Sequence, residues 1–212
     1  MKEHYKFKLK PLPYGYAELE PYISEQTTRV HHTRHLGGYV NSLNGVISEN
    51  PPLSEMSLTE LYTANYKNSA LGERVRFFSG AVYNHNLYFA MLCPSFNDAI
   101  PRPVGALLEA IESTFGSFEK FAVEFKAQAM ALRGSGWIFL CRDRMGKPRI
   151  LSMPNHTRPD PHIYTAILPL DMWEHAYYLD NLDRKSEYID SFFRLINWQL
   201  ASMLWESKIC YF

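Results

Sequence analysis

Apolar and polar positions change their spacing part-way along the chain. From residue 24 to about residue 47, and again from about 70 to 92, apolar side chains recur in stretches without proline, which is typical of long helices. Ser24 and Ser57 precede helical segments and are predicted to cap them. The pair Gly37 and Gly38 weakens the prediction of an unbroken first helix. The first half is therefore predicted to be an antiparallel pair of long helices, with a short helix between them.

After the proline-rich stretch CPSFNDAIPRPVG the pattern first stays helical and then shortens. Helices are predicted over 104–115 and 117–133, the second capped by Ser117. Three short apolar runs bounded by Gly, Pro and Asp indicate strands: GWIFLCRD, PRILSMPN and TAILPLD. DRMGKP predicts a hairpin turn, and residues 186–207 are helical again. The proline-rich stretch is the predicted boundary between a helical-hairpin domain, residues 1–98, and an α/β domain, residues 99–212.

Composition narrows the function classes without choosing one. The 212 residues include 22 Lys or Arg and 22 Asp or Glu, so no net charge attracts the chain to nucleic acid or to an anionic membrane. The first residues lack the apolar run of a signal peptide, and no run is long enough to cross a bilayer. Cys93, Cys141 and Cys210 are too widely spaced for a disulfide framework or a Cys-x-x-Cys zinc site. We expect a cytoplasmic protein with reduced thiols and no nucleic-acid or membrane partner.

Histidines and carboxylates supply the candidate chemistry. His31 and His35 have the spacing of a helical zinc site, but His32 occupies the position where zinc proteases carry glutamate. Each histidine motif alone is more typical of packing than of ligation. Three separate elements together offer three histidines and one carboxylate: His31, His85, Asp171 and His175. Such a nitrogen and oxygen set favours iron, manganese, cobalt or zinc over copper(I), and we predict a site at the interface of the two domains.

Six motifs in order make the chain resemble the iron/manganese superoxide dismutases nearly from end to end. They are LPYGYAELEPYIS, VHHTRHLGGYVNSLN, YNHNLYF, FGSFEKF, GSGWIFL and DMWEHAYYLD. The resemblance implies an enzyme that disproportionates superoxide to oxygen and hydrogen peroxide by one-electron cycling of a mononuclear iron or manganese centre. It also implies an α+β fold, with a helical hairpin followed by an α/β domain that contains a small three-stranded antiparallel sheet. The segment pattern gives the same outline.

The resemblance implies roles for individual residues. One manganese or iron ion per subunit would be bound by a solvent molecule and four side chains: His31, His85, Asp171 and His175. Tyr39 and His35 would line the substrate entrance. Trp137 and Trp173 would form walls of the metal pocket.

A homodimer is also implied. Tyr178 of the partner subunit would hydrogen-bond His35, and Glu174 would pair with the partner's His175. After this motif the chain departs from the common family continuation Tyr-x-Asn-x-Arg-Pro, at Asn181, Lys185 and Ser186. These departures leave the choice between dimer and tetramer open, as well as any role of Arg184 or Lys185 in guiding the anionic substrate.

The group that hydrogen-bonds the metal-bound solvent is often glutamine in the family. The helix position from which it can come is Ala81, which is too small to reach the solvent. The hairpin position is His156, and we predict that this histidine is the partner of the solvent. Because a partner from the hairpin is typical of the manganese forms, manganese or use of both metals is slightly favoured, and iron stays open.

Three other function classes fit part of the pattern. A zinc hydrolase would use His31 and His35, but it lacks the adjacent glutamate and leaves His85 unexplained. A non-haem iron oxygenase needs two histidines and one carboxylate, so the third histidine counts against it. A non-catalytic metal-binding relative would keep the fold, and the intact ligand set with Tyr39 argues against it. Superoxide dismutase is the function that we expect.

Overall fold

The computed structural model describes residues 4–67, 69–95 and 100–207. The first predicted helix is one continuous rod made of α1 (Glu25–Val30), a π-helical turn (His31–Leu36) and α2 (Gly37–Ser48). Ser24 caps it by accepting a hydrogen bond from Thr27 N. The two glycines do not interrupt the rod, because Gly37 keeps right-handed helical backbone angles of −58° and −39°.

The second long helix is the centre of the molecule. A 3₁₀ turn (Pro51–Glu55) and the short helix α3 (Leu58–Thr63) lead to α4 (Ala70–Met91). Ser57 caps α3 as predicted, and Glu60 completes a capping box by accepting from Ser57 N. Every residue from 79 to 89 is buried, since α4 packs against α2, α3 and the sheet. A helix that is buried on all sides carries its polar residues into the interior, where they need partners.

The second half contains five helices and three strands among the residues that the structure describes. They are α5 (Gly105–Phe115), α6 (Phe118–Ala131), β1 (Gly136–Asp143), β2 (Pro148–Pro154), β3 (Tyr164–Asp171), α7 (Tyr178–Asn181), α8 (Lys185–Leu195) and α9 (Trp198–Glu206). A 3₁₀ turn, Glu174–Ala176, follows β3. The helical pattern over 186–207 divides into α8 and α9 because Ile196 is extended and pairs with Leu92. Asn197 then caps α9 by accepting from Leu200 N.

The sheet is antiparallel in the order β2-β1-β3. The predicted turn joins β1 to β2, with Asp143 N donating to Lys147 O at 2.9 Å. In the β1–β3 register Trp137 lies opposite Asp171. The start of β1 and the end of β3 therefore lie at the same end of the sheet, and α4 contacts β3. The predicted α+β class is confirmed.

The two halves share one hydrophobic core that extends from the N-terminal helices to α9. Backbone bonds also join them, since Cys93 N donates to Leu195 O and Asn197 N donates to Met91 O, each at 2.8 Å. The predicted domain boundary at 98/99 lies outside the described residues and stays a prediction. No helix in the described parts of the chain is both long enough and apolar enough to cross a membrane.

Candidate metal centre

Three histidines and one aspartate converge where the N-terminal helices meet the end of β3. His31 opens the π-helical turn, His85 lies in α4, Asp171 ends β3 and His175 lies in the 3₁₀ turn that follows. One ligand atom from each side chain lies within 4.8 Å of the other three. Asp171 Oδ2 is 3.2 Å from the Nε2 atoms of both His31 and His175, and 3.5 Å from His85 Nε2. The sequence-predicted ligand set is thus one cluster, drawn from both halves of the chain.

Burial gives the cluster protonation states that suit metal binding. His31 is 2% exposed, and His85 and Asp171 are 0% exposed. Burial lowers the pKa of His31 to about 4 and holds the pKa of His85 well below its ordinary value. Burial alone would raise the pKa of Asp171, but the neighbouring His175 and His31 hold it below its usual range. At neutral pH the carboxylate is ionised, and the imidazoles of His31 and His85 are uncharged and can bind a metal ion.

The hydrogen bonds of the cluster leave ring nitrogen atoms that are available to bind a cation. His85 Nδ1 donates to Ala81 O at 2.7 Å, so its Nε2 carries the lone pair. That Nε2 lies 3.3 Å from His175 Nε2. His31 Nε2 is buried and has no hydrogen-bond partner among the described residues. His31 Nε2 and the lone pair of His85 Nε2 both lie within 3.5 Å of the Asp171 carboxylate. A bound cation would satisfy all three groups, so these residues fit iron, manganese or zinc.

Comparison with known proteins decides between these metal chemistries. Residues 6–93 match the family described as iron/manganese superoxide dismutases, alpha-hairpin domain, and residues 103–203 match the C-terminal domain of the same family. The chain belongs to the iron/manganese superoxide dismutases. Neither a zinc hydrolase nor a mononuclear iron oxygenase is consistent with this membership.

Relatives in the family carry the names of both metals. The chain is 39% identical to superoxide dismutase [Mn] 1 of Leptolyngbya boryana, over 92% of this chain and 79% of that protein. It is 40% identical to superoxide dismutase [Mn] of Listeria innocua, over 92% of this chain and 96% of that protein. It is 37% identical to superoxide dismutase [Fe] of Bacteroides fragilis, over 92% of this chain and 97% of that protein. The cofactor class is therefore manganese or iron, and these names do not choose between the two.

In this iron/manganese superoxide dismutase, the residues predicted to line the entrance lie at the edge of the cluster. The His35 ring stacks on His175, with centroids 4.2 Å apart. The Tyr39 ring lies 5.2 Å from the His85 ring and 4.7 Å from the His156 ring. Burial, followed by the charge of Asp171, raises the pKa of Tyr39 to about 12, and burial lowers that of His35 to about 4. Both side chains are half-buried and neutral at pH 7, and Tyr39 keeps its phenolic hydrogen.

The predicted tryptophan walls surround the ligands and His156. The Trp137 ring lies 5.0 Å from His85, and the Trp173 ring stacks on His175 at 5.7 Å. Trp173 also stacks on His156, with centroids 4.3 Å apart and planes within 9°. Trp137 is fully buried, whereas Trp173 is half-buried, so the two rings form an inner and an outer wall.

His156 is an interior residue of the site and not a surface-turn histidine. It is 1% exposed, and Trp137 Nε1 donates to its Nδ1 at 3.2 Å. Burial lowers the pKa of His156 to about 3, so the ring is neutral. Because Nδ1 accepts the indole hydrogen bond, the hydrogen of the neutral ring is on Nε2. That Nε2 is buried and has no hydrogen-bond partner within the described residues.

The two residues predicted to contact a partner subunit are on the surface beside the cluster. Glu174 is exposed, and Tyr178 is 48% exposed. Leu179 and Leu182 extend this surface, with exposures of 54% and 51%. The expected contacts of Glu174 with His175 and of Tyr178 with His35 join two subunits, so they stay predictions.

Two polar residues next to ligands have structural roles. His32 follows His31, but both of its ring nitrogens are engaged, one with Tyr16 Oη at 3.0 Å and one with Lys10 O at 2.8 Å. Asn84 precedes His85 and donates to Thr157 O at 3.2 Å, which fixes the turn that carries His156. A role of Asn84 was not predicted from the sequence. The available signal was the pair Asn84 and Asn86, which flank His85 among aromatic and apolar residues.

Proposed function

We propose that this protein disproportionates superoxide to oxygen and hydrogen peroxide, with one manganese or iron ion per subunit. The observation that carries the proposal is the buried four-ligand cluster in a chain of this family. The ligands are His31, His85, Asp171 and His175. The bound metal supplies one-electron exchange between two oxidation states, which zinc cannot do.

The protein orients the ligands through bonds to their other atoms. Trp173 N donates to Asp171 Oδ1 at 2.8 Å, which leaves Oδ2 for the metal. The carbonyl of Ala81 fixes the tautomer of His85. A single carboxylate among three imidazole ligands makes the site less positive and so favours the higher oxidation state.

Two neutral hydrogen-bond donors serve the proton chemistry. Two superoxide ions and two protons give one molecule each of oxygen and hydrogen peroxide, so the site must handle protons as well as electrons. We assign this work to the His156 Nε2–H, which would hydrogen-bond a solvent molecule held by the metal, and to the Tyr39 hydroxyl at the entrance. His35 lines the entrance with Tyr39, and Trp137 and Trp173 hold the His156 ring in place.

We propose a homodimer in the cytoplasm. The exposed Tyr178, Leu179 and Leu182 lie on the surface next to the cluster and support an interface there. In the dimer Glu174 pairs with the partner's His175, and His35 with Tyr178 of the partner subunit. Cys93 and Cys141 are free thiols, which supports a reducing compartment.

The deciding experiment is reloading of the metal-free protein with iron, with manganese and with zinc in separate samples. Metal content is quantified, and superoxide-dismuting activity is expressed per bound ion. We expect activity with iron, manganese or both, and none with zinc. Inactivity with iron and manganese at full occupancy would overturn the proposal and favour a non-catalytic metal-binding relative.

A further inference from the structure

Arg158 is a buried cation in the connection between β2 and β3, two residues after His156. It is 3% exposed. Its guanidinium carbon lies 3.8 Å from the ring centroid of Tyr83 in α4 and 4.9 Å from that of Tyr62 in α3. Its Nη2 donates to Thr59 Oγ1 at 3.4 Å. The planar cation is thus fixed against two aromatic rings of the N-terminal half, an arrangement that compensates for part of its lost hydration.

The backbone of the same residue is fixed by Tyr62. Arg158 N donates to Tyr62 Oη at 2.9 Å, and Tyr62 Oη donates to Arg158 O at 3.3 Å. One residue earlier, Thr157 O accepts from Asn84. At the other end of the turn Asn155 N donates to Ser135 O at 2.9 Å. Residues 155–158 are therefore attached to α3 and α4 on one side and to Ser135, the residue before β1, on the other.

This turn determines where the His156 ring lies. The backbone of α4 contacts the turn directly, because a Cβ atom on Gly80 would lie 2.2 Å from His156 O. The His156 ring itself accepts a hydrogen bond from Trp137 and stacks on Trp173. The contacts of the His156 ring with Trp137 and Trp173 both depend on the distance between the turn and α4. A shift of the turn would move the Nε2–H relative to the ligands.

We propose that Arg158 is a positioning residue: held by Tyr62 and Tyr83, it fixes the 155–158 turn and so sets the place of the His156 Nε2–H beside the metal ligands. Its effect on turnover rests on the proposed function. Its effect on the location of His156 does not.

The main test compares Arg158→Met with the matched variant Arg142→Met. Methionine keeps the length and apolar contacts of the side chain but removes the guanidinium. Arg142 also holds chain segments together, since its guanidinium donates to Trp205 O and Ser207 O, but it lies at the opposite end of β1. With metal content verified, we expect turnover per ion to fall about tenfold in Arg158→Met and to stay normal in Arg142→Met. Arg158→Lys, which keeps the charge but not the planar group, is expected to lie between Arg158→Met and the unaltered protein.

A double-variant cycle separates positioning of His156 from a general structural role. If Arg158 acts through His156, adding Arg158→Met to His156→Ala changes turnover no further. A further tenfold loss in that background would overturn the proposal. So would normal turnover of Arg158→Met at full metal content.

A structural readout keeps the inference testable whatever the activity. In a crystal structure of metal-loaded Arg158→Met we expect a displaced His156 ring that has lost its bond to Trp137 Nε1. An unmoved ring would overturn the proposal. If Arg158→Met does not fold, Tyr62→Phe takes its place, because it keeps the ring but removes the hydroxyl that holds the Arg158 backbone. If the unaltered protein does not dismute superoxide at full occupancy, the proposed function fails by itself, and the ring position alone decides the role of Arg158.

Discussion

The two ends of the three-stranded sheet are built from the same strands, but they differ in whether their polar atoms have hydrogen-bond partners. At the metal-facing end, His31 Nε2 and His156 Nε2 are buried without hydrogen-bond partners in the described part of the chain. At the hairpin end, the Asp143 carboxylate accepts from Met145 N, Lys147 N and Arg149 Nε, each at 2.9 Å. Both ends are rich in charged and polar residues. What distinguishes a site from a turn is whether the polar atoms are already satisfied.

Removing one carboxylate at each end gives the sharpest contrast. Asp171→Ala deletes the ligand oxygen nearest to all three histidines, so we expect metal content and dismuting activity to fall to background. Asp143→Ala is the control. It loses turn bonds and is expected to cost about 1 kcal/mol of stability, with metal content and activity unchanged. Retained metal in Asp171→Ala would show that the cluster is not the binding site.

Metal removal should destabilise the protein, because the bound ion would hold together the four side chains at the metal-facing end of the sheet. A ligand that binds only the folded state contributes about 4 kcal/mol when its free concentration is a thousand times Kd. We expect the metal-free form to melt at lower temperature and to recover on reloading with manganese or iron. Asp143→Ala should show the same recovery, whereas Asp171→Ala should not respond. Equal melting of the metal-free and loaded forms would contradict the coupling of this cluster to folding.

His156→Ala tests the interior histidine apart from the ligands. The variant keeps all four ligands but loses the Nε2–H, so we expect metal content near normal and turnover lowered about 10- to 100-fold. Metal analysis and steady-state rates on the same sample measure both quantities. Unchanged turnover would rule out a role of His156 with the site solvent.

Gly80→Ala should shift the turn that carries His156. The added Cβ atom would lie 2.2 Å from His156 O. The Cβ atom and this carbonyl oxygen are both attached directly to the main chain, so the clash can be relieved only by a backbone shift. We expect a loss of about 1–3 kcal/mol in unfolding free energy and reduced turnover. Gly45→Ala is the matched helical control. Its Cβ atom meets no heavy atom within 4 Å among the described residues, and it should stabilise the protein by about 0.5–1 kcal/mol. Equal effects of the two variants would argue against the close contact.

Glu174→Ala is expected to have the smallest effect, confined to subunit association. Loss of its pairing with the partner's His175 should raise the dimer dissociation constant roughly tenfold, or about 1.4 kcal/mol. Sedimentation at several protein concentrations measures this change. Glu187→Ala is the control, because Glu187 accepts from Arg184 within one chain at 2.8 Å. An undiminished Glu174→Ala dimer would place the interface elsewhere.

Local patterns were enough to predict most of the helices and strands. Helix α3 and its Ser57 cap, helix α4 and strand β1 lie where spacing and capping residues placed them. The four candidate ligands were predicted from several motifs taken together, and the structure brings their side chains into one cluster. The division at Ile196 was not foreseen, because it depends on pairing with Leu92, a residue of the other half.

The surroundings of the site were harder to predict, because contacts between distant segments create them. Arg158 is 96 residues from Tyr62, and nothing in the sequence near either residue indicates that they meet. Likewise, the residues of the π-helical turn at His31–Leu36 do not distinguish it from an ordinary α-helical segment. The His31 ring in that turn packs against Phe89 and Tyr88 in α4, which supply part of its surroundings. Long-range packing, and not local propensity, determines these features.

The order of the ligands along the chain has a consequence for biosynthesis. His31 and His85 leave the ribosome well before Asp171 and His175, so the hairpin first presents only half of a binding site. Two imidazoles without the carboxylate hold an ion weakly and exchange it readily. Once the C-terminal half docks, His31, His85 and Asp171 are buried, so we expect exchange of the ion to become slow. We therefore expect the ion that an individual molecule keeps to depend on which metal is present while the two halves dock.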